Sequence, residues 1–401
     1  MARIHAAPAG GGRRCAVLRA FPEANKESMT TASSLYIGLM SGTSLDGVDG
    51  VLAEFADDGA IRTLGAAFLP FSAALRADLM ALQAPGANEI AREALAANQI
   101  AACYAACVAQ LLPLLPEAAP LQAIAAHGQT IRHRPELGYT CQSLNAALLA
   151  ELCGVDVIAD FRNRDVAAGG QGAPLVPAFH HAQFARPGQT RVVVNIGGIS
   201  NISVLHANGK VSGFDTGPGN VLMDGWIARH QNKDYDADGA WAATGTVDTG
   251  LLSALLEAPY FALSAPKSTG RDLFHMAWLD AVLGSAPALP TEDVQATLTA
   301  LTAVSIAHAI LGEAAGGEAN VDAVYVCGGG AYNGALMRAL AGALGGKTPV
   351  ASTAVLGVPP NQVEALAFAW LGHRFHQRKA GNLPAVTGAK GARILGALYP
   401  A

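Results

Sequence analysis

Two strand–glycine turn–strand patterns constrain the fold of this chain more than any other feature. The first, LYIGLMSGTSLDGVDGVLAEF, begins at Leu35, and the second, RVVVNIGGISNISVL, begins at Arg191. In each pattern, β-forming residues flank a turn of glycines and hydroxyl side chains. Alternating helices and strands follow each hairpin, which indicates α/β units. We therefore predict two similar α/β domains; a single large α/β domain with two coincidental hairpins is the alternative.

The remaining sequence predicts further elements by periodicity and by its glycine and proline punctuation. Helices are predicted at 88–115 and in SLNAALLAELCG, NVLMDGWIARHQ, TEDVQATLTALTAVSIAHAILGEA, NGALMRALAGAL and QVEALAFAWLGHRFHQ. Strands are predicted in QAIAAHGQT, VDVIADF, VSGFD and VDAVYVCGGG. The stretch RNRDVAAGGQGAPLVP is predicted to be a loop, because its glycines and prolines continue neither a helix nor a strand.

Composition excludes several classes of protein. Of the 401 residues, 51% are hydrophobic and 14% are charged, which excludes a disordered chain. The net charge of -5 gives no basic surplus for a nucleic acid or an anionic membrane. No uninterrupted apolar run approaches the ~18 residues of a spanning helix, so we expect a soluble protein.

The cysteines and the N-terminus suggest a reducing compartment. The six cysteines are scattered without a C-x-x-C pair, so we expect free thiols and a cytoplasmic location. Residues 1–34 lack the apolar stretch of a signal peptide, and the stretch after the pair Arg13–Arg14 is too short and too charged for twin-arginine export. We interpret 1–34 as a disordered extension, with Met29 as an alternative initiator.

Three glycine-rich turns could hold phosphate, because backbone N–H groups can approach phosphate oxygens where side chains are absent. They are Ser41–Gly47, Asn195–Asn201 and Gly328–Gly330. Each alone could be an ordinary turn, but together they offer two phosphate cradles and a flat wall for a nucleoside. Other nucleotide and metal motifs are lacking: Ala341 stands where a P-loop ending in Gly346-Lys347-Thr348 needs glycine, no G-x-G-x-x-G follows a strand, and the histidines lack zinc-ligand spacing.

Several carboxylates are candidates for chemistry. Asp215 ends the predicted strand VSGFD before a rigid Gly-Pro-Gly turn, although an aspartate that only stabilises its own loop is the alternative. We expect an ordinary pKa of about 4 for Asp215, hence an ionised carboxylate at neutral pH. Asp46 could hold Mg²⁺ through water, or with Asp49 only cap the hairpin. Glu364 could merely complement a helix dipole, and Asp165 lies in the long loop with Arg162 and Arg164.

Seven motifs carry a resemblance to a known family. They are GLMSGTSLDGVD at 38–49, AAHGQTIRH at 125–133, ADFRNRDVAAGGQGAPLVPAFH at 159–180, NIGGISNIS at 195–203, GFDTGPGNVLMD at 213–224, PKSTGRDLF at 266–274 and VCGGGAYN at 326–333. From about Leu35 to the C-terminus the chain resembles the anhydro-N-acetylmuramic acid kinases. That resemblance implies an α/β fold of two duplicated actin/Hsp70/sugar-kinase-like (ribonuclease H-like) domains, with ATP in the cleft between them.

The resemblance also implies a reaction and a division of the chain. ATP, water and 1,6-anhydro-N-acetylmuramic acid would give N-acetylmuramic acid 6-phosphate and ADP, in bacterial cell-wall recycling and amino-sugar metabolism. An ordinary sugar 6-kinase and a non-catalytic nucleotide switch of the same fold are the alternatives. We expect an extension at 1–34, a first domain at 35–160, a second at 161–370, and a C-terminal segment at 371–401 that packs near the first domain.

Site residues follow from the same motifs. The catalytic candidates are Asp215 as base and Glu364, which would help hold the sugar; His127 and Asp165 would line the sugar side. The residues implied for ATP are the phosphate loop Gly42, Thr43, Ser44, Leu45, Asp46, Gly47, Val48 and Asp49, the second hairpin Gly197 and Gly198, and the adenosine wall Gly328, Gly329 and Gly330. The implied partners are ATP with Mg²⁺ and a small sugar, without nucleic acid, membrane or a protein-bound metal; the oligomeric state stays open, with a homodimer as one option.

Overall fold

The computed structural model describes residues 33–401 except 118, 266, 271–272, 286 and 316–320. The side chains of 314 and 315 are also excluded from the description. The predicted extension at 1–34, apart from its last two residues, lies outside this part. The strands are β1 (Ser34–Met40), β2 (Gly47–Phe55), β3 (Ile61–Pro70), β4 (Leu121–Ala126), β5 (Gln129–Arg134), β6 (Tyr139–Ser143), β7 (Val157–Ala159), β8 (Arg191–Ile196), β9 (Ile199–Leu205), β10 (Val211–Pro218), β11 (Ala323–Cys327), β12 (Val350–Ser352) and β13 (Ala397–Tyr399).

Helices alternate with these strands. They are α1 (Ala73–Ala81), α2 (Glu89–Leu111), α3 (Ala146–Cys153), α4 (Asn163–Ala167), α5 (Val176–Phe184), α6 (Val221–Gln231), α7 (Thr249–Leu256), α8 (Met276–Leu283), α9 (Thr291–Ala315), α10 (Gly334–Ala343), α11 (Val363–His376) and α12 (Pro384–Thr387). The helices predicted from periodicity are confirmed, and Gly154 ends α3 in the left-handed conformation (φ 61°) that glycine adopts without strain.

The two sheets repeat one strand order. The first runs β13-β7-β4-β1-β2-β3 and the second β10-β9-β8-β11-β12. In each sheet, three consecutive strands form an antiparallel meander, β1-β2-β3 in the first and β8-β9-β10 in the second. Two later strands then pair in parallel beside the first strand of the meander, β4 and β7 in the first sheet and β11 and β12 in the second. The predicted duplication of the hairpins is therefore confirmed, and a continuous sheet is excluded for the described residues. The exact division at 35–160, 161–370 and 371–401 stays a prediction.

Helix α11 packs against the first sheet, on strands β1, β2 and β4. Its residues 363–372 are buried except for the half-buried Glu364, and a helix that is apolar on all sides is typical of a core position. A Cβ on Gly38 would lie 1.9 Å from the carbonyl oxygen of Ala365, so the backbones of β1 and α11 touch. One hydrophobic cluster includes Tyr36 from the first sheet, Val193 from the second, and much of α11, and β13 pairs with β7 at the edge of the first sheet.

Two predictions about local structure are corrected, and five strands have no counterpart among the predicted elements. The stretch predicted as a loop contains helix α4 and the start of α5; proline is tolerated in the first turn of a helix, where Pro177 lies in α5. Asp215 does not end its strand, because β10 continues to Pro218 past a bulge between Asp215 and Gly217. Strands β3, β5, β6, β12 and β13 were not predicted; β12 and β13 have three residues each, too few for a pattern.

Two helices are long and apolar enough to cross a membrane by length and composition alone, at Glu89–Leu114 and Thr291–Glu313. The expectation that no segment reaches this length holds only for uninterrupted apolar runs. Within their most apolar windows, 44% and 72% of the residues are buried. Both helices contribute to the hydrophobic clusters that pack on the sheets, and core helices of soluble proteins have the same length and composition. The two segments are therefore weak evidence for membrane spans.

Candidate active site

The first glycine turn joins β1 to β2. Ser44 Oγ donates to Asp46 Oδ1 (2.5 Å), and so does the N–H of Gly47 (3.1 Å), while Gln129 Nε2 donates to the carbonyl of Gly42 (3.0 Å). Thr43 and Asp46 are exposed. Leu45 and Val48 are buried in the first hydrophobic core, so within the predicted phosphate loop these two side chains anchor the turn.

The second glycine turn lies between β8 and β9 and is held by the segment that follows β10. The carbonyl of Gly198 accepts from the N–H groups of Gly219 (2.9 Å) and Val221 (3.1 Å), and the carbonyl of Gly197 accepts from Asn220 (2.7 Å). A Cβ on Gly219 would lie 2.2 Å from Gly197 O, so this glycine is required by packing. The hydrogen bonds that brace the turn thus use its carbonyl oxygens, which makes its N–H groups the candidates for phosphate contacts.

The glycine run after β11 packs against the base of the second turn. Gly328 has φ 77°, and a Cβ there would lie 2.5 Å from Asn195 Oδ1 and 2.7 Å from Ile196 O. A Cβ on Gly330 would lie 2.4 Å from Ile196 Cγ2, whereas one on Gly329 would meet only Asn220 Nδ2 at 3.5 Å. Close packing therefore requires Gly328 and Gly330 whether or not a nucleoside binds, and Gly329 is the one with space above it.

Asp46 of the first turn and Asp49 of β2 lie close enough to Glu364, at the start of α11, to act on one another through their charges. Burial raises the pKa of Glu364, and the charge of Asp46 adds to this, while Arg162 and a hydrogen bond from Asn195 lower it. Burial, with the charges of Asp46 and Glu364, raises the pKa of Asp49 to about 7. Since Asn195 is the penultimate residue of β8, the strand that leads into the second turn, Glu364 lies near both glycine turns.

Arg162 joins this acidic group to His127. Its Nε donates to His127 Nε2 (2.9 Å) and its Nη1 to the carbonyl of Gly172 (2.8 Å). Burial lowers the pKa of Arg162 to about 10, and the charges of Glu364 and Asp165 oppose that shift. Burial and the charge of Arg162 hold the pKa of His127 well below its ordinary value. The ring is therefore neutral, and because Nε2 accepts the hydrogen bond, its proton lies on Nδ1.

Asp165 is fully buried and its carboxylate is occupied by protein donors. Oδ1 accepts from Asn382 Nδ2 (2.6 Å) and Thr387 Oγ1 (2.8 Å), and Oδ2 accepts from the N–H of Gly172 (2.8 Å). These bonds tie α4 and the glycine-rich segment after it to the C-terminal part of the chain. In this arrangement Asp165 supports the carbonyl group that Arg162 contacts and has no accessible oxygen for a sugar.

Asp215 lies under a segment that comes from far along the chain. The N–H of Thr269 donates to Asp215 Oδ2 (3.0 Å), the N–H of Asp215 donates to Lys267 O (3.3 Å), and Tyr260 Oη donates to Asp215 O (2.6 Å). We call Tyr260, Phe261, Lys267 and Thr269 the covering segment. Burial raises the pKa of Asp215 to about 6, although the N–H of Thr269 lowers it in part. The expectation of an ordinary pKa near 4 is therefore wrong.

The register of the second sheet relates Asp215 to the acidic group. Asp215 pairs with Asn201, Asn201 with Asn195, and Asn195 with Cys327, which precedes Gly328. Directly paired residues present their side chains on one face of a sheet. Because neighbouring strands lie about 4.8 Å apart, the backbone of Asp215 is roughly 10 Å from that of Asn195. One row of paired residues across the sheet thus links Asp215 to the two strands that flank the second turn and to Cys327, the residue before the glycine run.

Sequence reasoning noted Arg162 only as a loop residue and gave no role to Asn195, Tyr260 or Thr269. Asn195 and Thr269 lie within the quoted motifs NIGGISNIS and PKSTGRDLF, so the signal was present, but their contacts arise from residues distant in sequence. Among the residues that the structure describes, no group of three or more His, Cys, Asp or Glu side chains could hold a metal ion. The five cysteines of this part are free thiols, as expected, and Cys15 lies outside it.

Comparisons with known proteins agree with these motifs. Residues 34–401 match the family model described as anhydro-N-acetylmuramic acid kinase. An anhydro-N-acetylmuramic acid kinase of Burkholderia thailandensis is 57% identical over 383 residues, covering 92% of this chain and 98% of its own, and one of Paraburkholderia xenovorans is 57% identical over 375 residues with the same coverage. Among solved structures, the xylulose kinase of Rhodospirillum rubrum aligns over 86% of this chain and 90% of its own, with 14% identity and a TM-score of 0.44. The family match and the two sequence relatives show that the chain belongs to the anhydro-N-acetylmuramic acid kinase family.

Proposed function

We propose that this chain catalyses the reaction of its family, the conversion of 1,6-anhydro-N-acetylmuramic acid, ATP and water to N-acetylmuramic acid 6-phosphate and ADP, in cell-wall recycling. The observation that carries the proposal is the family match across residues 34–401, which includes every element that builds the site. The activity requires a base for water, a phosphate cradle and a sugar subsite, and each has a candidate among the residues above.

Asp215 is the proposed base. In the anhydro sugar, O6 is tied in an ether bridge to the anomeric carbon, so no free hydroxyl exists there to deprotonate. Asp215 instead accepts a proton from water as that water attacks the anomeric carbon, and the departing O6 takes the γ-phosphoryl group. A pKa of about 6 leaves the carboxylate mostly ionised at neutral pH, and close to the optimum for a general base.

Glu364, Arg162 and His127 form the proposed sugar side. Arg162 keeps the buried Glu364 carboxylate closer to its ionised form and holds His127 in one tautomer. Oriented neutral and charged groups of this kind can bind sugar hydroxyls without reorganising when the ligand arrives. Asp165 acts indirectly, because it accepts the N–H of Gly172 while Arg162 donates to the carbonyl of the same residue.

ATP is proposed to bind with its phosphates between the two glycine turns and its nucleoside near Gly329. The exposed carboxylate of Asp46, with Asp49 behind it, suits the one or two carboxylates by which proteins usually hold the Mg²⁺ of a nucleotide. Burial is the main cause of the raised pKa values of Asp49 and Glu364, and the repulsion from Asp46 that adds to it would be relieved by a cation. When bound, Mg²⁺ would neutralise charge on the phosphates.

The proposal also includes a cytoplasmic location and small-molecule partners only. It further includes closure of the site around its ligands. Closure would exclude water that could otherwise hydrolyse ATP. The homodimer stays one option for the assembly.

The decisive experiment is mass analysis of the product formed in ¹⁸O-water. We expect the label at the anomeric carbon and none in the phosphate, with turnover of the anhydro sugar but not of free N-acetylmuramic acid. Label in the phosphate would contradict the water attack, phosphorylation of the free sugar would identify an ordinary 6-kinase, and ATP binding without any turnover would identify a nucleotide switch. Asp215→Asn should lower kcat by at least about 10²-fold while ATP still binds.

A further inference from the structure

Thr269 contacts Asp215 through its backbone, while its side chain makes no hydrogen bond to the residues that the structure describes. Its N–H donates to Asp215 Oδ2. Its Oγ1 is enclosed from solvent, yet it has no hydrogen-bond partner within the described part of the chain. A buried hydroxyl that makes no hydrogen bond is costly, and such groups in native structures often meet a water molecule or a ligand.

The covering segment fixes Thr269 in place. Tyr260 Oη and Lys267 O bond the backbone of Asp215 on either side of its Cα, and Phe261 packs where a Cβ on Gly217 would lie, 2.7 Å from Phe261 Cε1. The Lys267 ammonium lies 4.8 Å from the ring centre of Tyr260 and donates to the carbonyl of Tyr260 (3.3 Å). These contacts hold the segment to strand β10, so the Thr269 hydroxyl has a defined position relative to the carboxylate.

We propose that the Thr269 hydroxyl is a second contact of the water molecule that Asp215 activates. This inference rests on the proposed role of Asp215 as the base. Because N and Oγ1 of one threonine are separated by only three bonds, a backbone N–H donor 3.0 Å from Oδ2 keeps the hydroxyl within roughly 7 Å of the same carboxylate, a gap that one water molecule can bridge. A water molecule in contact with both groups would have each of its hydrogens held.

One O–H of the water gives its proton to the Asp215 carboxylate, and the other O–H donates a hydrogen bond to Thr269 Oγ1. The freed electron pair of the water oxygen forms the bond to the anomeric carbon, whose bond to O6 breaks. O6 bonds to the γ-phosphorus, and the bond from that phosphorus to the bridging oxygen of ADP breaks. The proton on Asp215 leaves to solvent after turnover.

The test compares Thr269→Val, Thr269→Ala and Thr269→Ser. Valine keeps the shape and the backbone N–H but removes the hydroxyl, so we expect kcat to fall about 10- to 100-fold, the scale of one lost hydrogen bond to a reacting group, with the KM values for ATP and sugar within about twofold of wild type. Alanine should fall similarly, which guards against a valine variant that fails to fold, and serine should recover most of the rate.

A purely structural role predicts a different result. If the side chain only shaped the environment of Asp215, its removal would shift the acid limb of the kcat/KM profile, whereas our proposal expects that limb to stay in place because the N–H bond remains. Wild-type kcat in the valine and alanine variants, an impaired serine variant, or a rise in sugar KM with unchanged kcat would each overturn the proposal. If Asp215→Asn itself retains kcat, the proposed base and this inference fail together; if only Asp215→Asn is impaired, this inference alone fails.

Discussion

Replacing Asp215 with asparagine should stabilise the ligand-free protein, and the gain should grow with pH. Burial under the covering segment raises the pKa of Asp215 from 3.8 to about 6. A carboxylic acid whose pKa is higher in the folded state binds its proton more tightly there. Stability is therefore lost as pH rises through this window, and the full cost is present above it. At roughly 1.4 kcal/mol per pH unit, the window amounts to about 3 kcal/mol at pH 8.

Asparagine removes this cost without removing the contact. Its side-chain oxygen can still accept from the N–H of Thr269. Urea unfolding followed by tryptophan fluorescence at pH 5 and pH 8 measures the effect. About half of the cost has developed at pH 5, so the advantage of Asp215→Asn should increase by roughly 1.5 kcal/mol between the two pH values. The control is Asp234→Asn, which removes the same charge from an exposed aspartate and should change stability little at either pH.

Two results would contradict this prediction. An asparagine variant that is less stable than wild type at pH 8, or an advantage of equal size at both pH values, would mean that the Asp215 carboxylate is not destabilised by its surroundings. The inference that burial of the ionised Asp215 carboxylate lowers the stability of the folded protein would then be wrong.

Three further predictions concern the base and two kinds of glycine. Below pH 6, kcat/KM should fall about tenfold per pH unit, because Asp215 must be ionised to accept a proton; the residual activity of Asp215→Asn should lack this limb, and a wild-type profile that is flat from pH 5 to 7 would contradict it. A Cβ on Gly197 would meet only Ile199 O at 3.7 Å, so Gly197→Ala should fold normally yet raise the ATP KM about tenfold or more by blocking a phosphate contact; unchanged ATP kinetics would remove this turn from the site. Gly38→Ala should destabilise the protein by about 3 kcal/mol because its Cβ would lie 1.9 Å from Ala365 O, whereas Gly312→Ala, at an exposed position of α9 with open space around it, should stabilise it by about 0.5–1 kcal/mol, and thermal unfolding of the pair would show the two effects.

The repeated architecture could be predicted from the sequence because each hairpin carries its own local signal. Turn glycines between β-forming residues locate β1–β2 and β8–β9, and the apolar run at 363–372 predicts a buried helix. What periodicity does not contain is the partner of each element. The periodicity of α11 does not say that it packs on β1 and β4, but two glycines record the close approach: a Cβ on Gly38 would overlap Ala365, and one on Gly372 would lie 2.8 Å from Ala125 Cβ.

The site was predictable where chemistry lies in motifs and unpredictable where it depends on burial. Asp215, Glu364 and the glycine turns could be named from their motifs. The raised pKa of Asp215 could not, because it comes from burial in the folded chain, where residues 45 to 54 positions further along contact Asp215. Asp165 shows the converse: a charged loop residue is usually solvated, but here the carboxylate is buried and accepts hydrogen bonds from three protein donors.

Arg162 acts on two neighbours in different ways: it donates a hydrogen bond to His127, and its charge lowers the pKa of Glu364. Two substitutions of Arg162 separate these effects. Arg162→Gln removes the charge, so the buried Glu364 would retain only the repulsion of Asp46 and the hydrogen bond from Asn195, and its pKa should rise further. Glu364 should then replace Asp215 as the group that limits kcat/KM on the acid side, so the acid limb should move to higher pH, with activity partly recovered under alkaline conditions. Arg162→Lys keeps a charge but cannot reproduce the planar donor pair to His127 and Gly172, so its activity should fall at every pH without moving the limb. Coincident limbs in the two variants would show that Glu364 does not depend on the charge of Arg162.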